Sequence, residues 1–197
     1  MSEVRSTFRL KLGDHAPSFR LPDAQGKLHS LDELIGPGGL LVVFACNHCK
    51  YVIHLAKALQ ALAADMATHG VHTVAINCND AAAYPQDATE HMPAFAREHG
   101  WTFPYLRDES QEVALAYGAA CTPDFFLFNA QGDLFYAGQF DDSRPKSGVP
   151  ADGSSLRDAI ERMLACEGAP DGVFPSSGCN IKWKPGLQPD WWASGNA

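Results

Sequence analysis

Cys46 and Cys49 are separated by Asn47 and His48, with Lys50 directly after, and this run is where residue types and spacing could do chemistry. Two cysteines three positions apart can carry a two-electron exchange. The thiolate of one attacks a substrate disulfide, and the other resolves the mixed disulfide that forms. Such attack needs a thiol acidic enough to ionise near neutral pH, and three local features favour it. The apolar run Gly39 to Ala45 predicts a buried strand ending at Cys46, and a helix is predicted to begin at the cysteines. The helix's unpaired N–H groups and the positive end of its dipole then point at sulfur. His48 adds a hydrogen-bond donor or a positive charge, and Lys50 a permanent one. Cys46 is expected to attack, Cys49 to resolve, and His48 to stabilise the thiolate. The competing reading, two small buried residues at a strand-to-helix junction, follows from the ordinary burial of free cysteine; the position argues against it.

The elements expected to hold this pair alternate. Phe19 and Leu21 predict a short strand before the turn Pro22 to Gly26, with a return strand at Leu28 to Leu31 and a short helical piece at Leu31 to Ile35. The strand Leu40 to Ala45 follows. Val52, Leu55, Ala56, Leu59, Leu62, Ala63 and Met66 recur at steps of three and four, giving one apolar face of a helix over Tyr51 to His69 that Gly70 ends. Val71 to Asn77 reads as a second strand, Ala88 to His99 as a helix, Trp101 to Leu106 as a strand and Asp108 to Gly118 as a helix. Phe125 to Phe128 and Leu134 to Gly138 predict a hairpin across Asn129 to Asp133, and Ser155 to Cys166 a last helix. Residues 1–12 read as a polar surface arm. The domain is expected to span residues 12–167, with residues 168–197 a tail that packs back on it. Strand, helix, strand, helix predicts an α/β fold.

Composition narrows the function. The chain has 197 residues, of which 46% are hydrophobic, and a formal net charge of −8, with no cluster of Lys and Arg. Nucleic acid and anionic membranes are therefore not expected partners. No segment reaches the roughly 18 apolar residues of a membrane span, and no basic start with a long apolar stretch opens the chain, so the expected location is cytoplasmic. Six cysteines in a chain of this length are too sparse for a disulfide scaffold, and in a reducing compartment redox roles fall to those that cluster. Cys166 and Cys179 read as structural.

Four stretches carry a resemblance: Gly13-Asp14-His15-Ala16-Pro17, Phe44-Ala45-Cys46-Asn47-His48-Cys49, Cys121-Thr122-Pro123, and Gly178-Cys179-Asn180-Ile181-Lys182-Trp183-Lys184. Together they resemble the peroxiredoxin-like, redoxin-domain branch of the AhpC/TSA superfamily (alkyl hydroperoxide reductase and thiol-specific antioxidant). The resemblance implies a thioredoxin-like, peroxiredoxin-type three-layer sandwich around a central mixed β-sheet. It also implies an oxidoreductase, an antioxidant thiol-disulfide oxidoreductase or thiol peroxidase with a redox-active disulfide at Cys46 and Cys49. No bound cofactor is expected; the substrate is a thiol, disulfide or peroxide, and the electron donor thioredoxin-like or a small thiol. Pro123 resembles the cis-proline facing the active cysteines in such folds, and Thr122 would offer backbone groups to an extended substrate strand. Cys121, beside that loop, becomes a candidate third redox thiol. Lys50 departs from the branch, which commonly has proline there; it keeps a backbone N–H and adds charge near sulfur.

Other outcomes stay open from sequence. A peroxidase cycle would make Cys49 the attacking sulfur and let Cys46 condense with its sulfenic acid, although the hydroxyl residue usual three positions earlier is replaced by Cys46. Cys46, His48, Cys49 and Cys121 offer soft ligands for zinc or cuprous copper, the metal-binding alternative. An inactive interaction module is the third, with the tail aromatics Trp183, Trp191 and Trp192 meeting a partner; at most they predict self-association to a homodimer.

Overall fold

The computed structural model describes residues 3–191. Trp192 lies outside the described residues. In chain order the elements are β1 (Glu3–Arg5), β2 (Arg20–Pro22), β3 (Leu28–Ser30), α1 (Leu31–Leu34), β4 (Gly39–Phe44), α2 (Lys50–Ala67), β5 (Val71–Asn77), α3 (Met92–His99), β6 (Tyr105–Arg107), α4 (Glu112–Tyr117), β7 (Cys121–Thr122), β8 (Asp124–Phe128), β9 (Leu134–Gly138), α5 (Ser154–Leu164) and β10 (Ser177–Asn180). Two short 3-10 turns, Pro85–Asp87 and Thr89–His91, precede α3.

The central sheet has five strands in the order β6-β5-β4-β8-β9. Strands β4, β5 and β6 run parallel, while β8 is antiparallel to β4 and β9 to β8. All six residues of β4 are buried, because both faces of the sheet are covered, and a strand covered twice has no polar side to show. Its side chains divide strictly by parity. Leu41 and Val43 join Phe125, Leu127, the apolar face of α2 and Ile160 of α5 on one face. Leu40, Val42 and Phe44 join Phe126, Phe128, Tyr117 of α4 and Leu31 and Leu34 of α1 on the other. The result is a three-layer sandwich with its cores on either side of β4. All seven residues of the apolar stripe expected on α2 are buried, together with Tyr51.

Local interactions start and close these elements. Ser30 and Glu33 form a capping box that starts α1, and Asn129 Oδ1 accepts from the N–H groups of Gln131 and Asp133 to close the β8–β9 turn. Gly39 has φ +122°, and a Cβ there would come within 2.3 Å of the Phe128 carbonyl oxygen, so glycine is required where β4 begins.

Several expectations need correction. The N-terminal arm is not purely a surface segment: Val4 is buried and β1 pairs with β10 in a second sheet of order β1-β10-β7. The aromatic strand is confined to Tyr105–Arg107, and the helix expected from Asp108 begins at Glu112. Asp108 instead accepts from the Ser110 hydroxyl and the Ala114 N–H, capping that helix from outside it. The segment beyond Gly168, which has no period, contributes β10 and the buried residues Ile181 and Trp183.

Candidate active site

Strand β4 delivers Cys46 two residues after its end, and Cys49 is the N-cap of the 18-residue α2. Both side chains are wholly buried. The sulfurs face Thr122, whose hydroxyl lies 3.5 Å from Cys46 Sγ and whose carbonyl oxygen accepts the Cys49 thiol at 2.9 Å. The Thr122–Pro123 peptide is cis. Asn47 and His48 are partly exposed between the two cysteines, and Lys50 is exposed.

His48 is held from below by Asp87, at the end of the first 3-10 turn. Its Nδ1 lies 2.7 Å from Asp87 Oδ2 and 3.9 Å from Cys46 Sγ. Asp87 is completely buried, and its carboxylate is met from four sides: Oδ1 accepts from the N–H groups of Asn47 at 2.9 Å and His48 at 3.3 Å, and Oδ2 faces His48 and the Asn79 amide at 2.8 Å. A buried carboxylate survives only with such pairing. Tyr105 donates to Asn47 Oδ1, and the Tyr84 ring stacks on His48 at 5.7 Å. Lys182 of the tail donates its N–H to Asn79 Oδ1 and holds its Nζ over the Tyr84 ring. The tail thereby braces the His48–Asp87 pair.

The cysteine that sequence reading sets aside is in the site. Cys179 stands directly opposite Thr122 in the β10–β7 pairing, and residues directly opposite share a face of the sheet. Thr122 turns that face toward the sulfurs, so Cys179 joins Cys46 and Cys49 in one buried cluster. Cys121 is not brought to the pair. As the neighbour of Thr122 along the strand it points the other way, packs with Val4 and Ala120, and donates to the Pro123 carbonyl. The backbone edge of Thr122 that the resemblance reserves for a substrate strand is occupied by β10, which is covered in turn by β1.

The surroundings pull the acidities of these thiols apart. Burial disfavours a thiolate at Cys49, but hydrogen bonds from Cys179 and Cys46, then from Thr122 and the Val52 N–H in the first turn of α2, outweigh it and lower its pKa. Burial raises Cys46, and so do the charge shared by Cys49 and the Asp87 carboxylate. Cys179 is raised by its bond to Cys49 and by burial. Burial also pushes Cys121 up.

Cys46 Sγ, an imidazole nitrogen of His48 and a carboxylate oxygen of Asp87 lie within 4.8 Å of one another, a ligand-like grouping. The fit to an ion is poor, since His48 Nδ1 is engaged by Asp87 and both carboxylate oxygens already serve two groups each.

Residues 12–137 match the model of the AhpC/TSA family. The chain belongs to this family. A Mycobacterium tuberculosis protein carrying a peroxiredoxin name is 32% identical over 129 residues, covering 66% of this chain and 77% of that protein. Thiol-disulfide oxidoreductase ResA of Geobacillus thermodenitrificans is 28% identical over 125 residues, 62% of this chain and 66% of the relative. An uncharacterized conserved protein of Geobacillus kaustophilus, solved by crystallography, superposes with a TM-score of 0.91 at 45% identity, covering 95% of this chain and 99% of that one. Solved thioredoxin-like structures share the fold at lower identity. This AhpC/TSA member is an α/β protein of thioredoxin-like fold and an oxidoreductase. Among the described residues no helix is long and apolar enough to cross a membrane.

Asp87, Asn79, Tyr84 and Cys179 are the site residues that sequence reasoning missed. Asp87 is 39 residues from His48 in a loop without periodicity. Nothing in the spacing marks it.

Proposed function

We propose that this AhpC/TSA member is a thiol-disulfide oxidoreductase whose Cys46 and Cys49 cycle between dithiol and disulfide. The observation that carries the reading is the pair of sulfurs on Thr122 at the start of α2, with the His48–Asp87 pair beside Cys46. Cys46 and Cys49 are both buried, with the partly exposed Asn47 and His48 between them, and Cys46 is the sulfur 3.9 Å from His48 Nδ1. The sulfur beside the His48–Asp87 pair is the one assigned to attack a substrate disulfide. As Cys46 attacks, its proton passes, directly or through His48, to the substrate sulfur that leaves as a thiol, and Cys46 is joined to substrate. Cys49 then gives up its proton and attacks Cys46. The second substrate thiol leaves and the Cys46–Cys49 disulfide remains. Two electrons have moved from protein to substrate, and a thioredoxin-like or small-thiol donor, in a cytoplasmic setting, restores the dithiol. Thr122 and Pro123 shape the wall against which the sulfurs react.

A second reading rests on the place of Cys49 at the N-cap of α2, where unpaired N–H groups and the helix dipole favour a thiolate, which suits attack on a peroxide, with Cys46 condensing on the sulfenic acid formed. The test uses the reduced chain and its Cys46→Ser and Cys49→Ser variants. Exchange predicts that Cys46→Ser loses turnover of a disulfide substrate while Cys49→Ser accumulates a mixed disulfide at Cys46. Unchanged turnover in Cys46→Ser overturns the exchange reading, and rapid trapping of sulfenic acid at Cys49 with hydrogen peroxide favours the second.

A further inference from the structure

We propose that Cys179 is a third redox thiol, which takes over the disulfide from Cys46 by bonding to Cys49. The inference rests on the dithiol reading above and extends it. Cys49 Sγ touches the Thr122 carbonyl oxygen at 2.9 Å, and Cys179 is the residue directly across the ladder from Thr122. Neighbouring strands lie about 4.8 Å apart, so the Cys179 backbone runs within one strand spacing of the carbonyl that Cys49 contacts. The approach is close enough that a Cβ on the preceding Gly178 would fall 2.1 Å from that same oxygen. Parity then decides direction. Cys179 shares the face of Thr122, the face on which the Thr122 hydroxyl meets Cys46 at 3.5 Å, and packs in the same buried cluster as Cys46, Cys49, Tyr51 and Val52. Three sulfurs thus surround one threonine, with Cys49 in the middle.

The chemistry balances without an added oxidant. Starting from the Cys46–Cys49 disulfide, Cys179 loses its proton and its sulfur attacks Cys49. A Cys49–Cys179 bond forms as the Cys46–Cys49 bond breaks, and Cys46 leaves with the electron pair. The proton released by Cys179 ends on Cys46 or on the His48–Asp87 pair. One disulfide and one thiol are present before and after. The exchange moves oxidation from Cys46, beside the partly exposed His48, to a bond that ties the tail strand to the start of α2. It returns Cys46 to its thiol form while the protein is still oxidised.

The test is a disulfide map. Cys46→Ser is treated with excess oxidised glutathione, free thiols are alkylated in acid, and peptides are assigned by mass spectrometry. The expected product is an internal Cys49–Cys179 bridge, formed when Cys179 displaces glutathione from Cys49, with loss of alkylation at both positions. A stable glutathione adduct at Cys49 with Cys179 fully alkylated overturns the proposal. Wild-type protein provides a measurement that does not depend on the variant folding: a fraction of the oxidised molecules should have Cys179 protected and Cys46 alkylated. If Cys46 and Cys49 are always bridged and Cys179 is always alkylated, this inference falls and the dithiol reading stands. If neither Cys46 nor Cys49 oxidises, both fall.

Discussion

Replacing Asp87 by Asn keeps the shape of the side chain and removes its charge, and the structure sets both consequences. Whichever way the amide is turned, its NH2 faces two groups now served by carboxylate: either the Asn47 and His48 N–H groups, or His48 Nδ1 and the Asn79 amide. One charge-assisted bond and one buried partner are lost, which costs about 3 kcal/mol. At about 2–4 °C per kcal/mol for a chain of this size, the melting temperature should fall by about 6–12 °C. The second consequence concerns sulfur. The carboxylate raises the Cys46 pKa, and the atoms involved lie within 4.8 Å. At an effective dielectric constant of about 20, two unit charges at that outer distance interact by about 3.5 kcal/mol. Removing the charge should therefore make alkylation of Cys46 at neutral pH faster, by about tenfold or more. The assay is iodoacetamide labelling of reduced protein across pH, read peptide by peptide, beside thermal unfolding. An unchanged melting temperature together with an unchanged Cys46 labelling profile would refute the coupling of Asp87 to the site.

Thr122→Val should act in the opposite direction, because its hydroxyl favours a Cys46 thiolate; several-fold slower Cys46 alkylation with a melting temperature changed by only a few degrees is expected. Gly178→Ala drives a Cβ into the Thr122 carbonyl, an overpacking worth about 1–3 kcal/mol, and faster alkylation of Cys179 in the folded protein would report β10 lifting from β7. Asp124 accepts from the Ser6 hydroxyl and the Ala120 N–H, and burial raises its pKa to about 6 from 3.8. The unfolded chain releases this proton first, so stability contributed by Asp124 is full below about pH 4 and declines as pH rises to about 6, by up to about 3 kcal/mol. Asp124→Asn should remove that decline, seen as a denaturation difference between variant and wild type that changes across the window and is flat above it; a constant difference from pH 4 to 7 would contradict the assignment.

The parts of the site legible in sequence are those built by continuous periodic segments. β4 is apolar at every position because both faces are covered, and α2 carries a full stripe, so the junction holding Cys46 and Cys49 could be read directly. β1 and β10 are short, with three and four residues, and their order comes from pairing with strands distant in sequence, as in Cys179 with Thr122 and Glu3 with Cys179. No alternation can show over such a length. Cys121 and Cys179 illustrate the cost. Nearness in sequence to Thr122 singles out Cys121, yet neighbours along a strand point to opposite faces, while the cross-strand partner shares the face. Cys179 therefore reaches the sulfurs and Cys121 does not. Asp87 was hidden for a different reason: a buried carboxylate in an irregular loop acquires its partners from Asn47, His48 and Asn79 only after β4, β5 and α2 are assembled.

The dithiol account is tested most directly by poising the wild-type chain in glutathione buffers over a range of potentials, quenching in acid, alkylating and weighing the intact protein. It predicts one reversible two-electron step in which two of the six cysteines escape alkylation, Cys49 always among them and Cys46 its partner in the first bond formed. Six alkylated cysteines at every potential would contradict it.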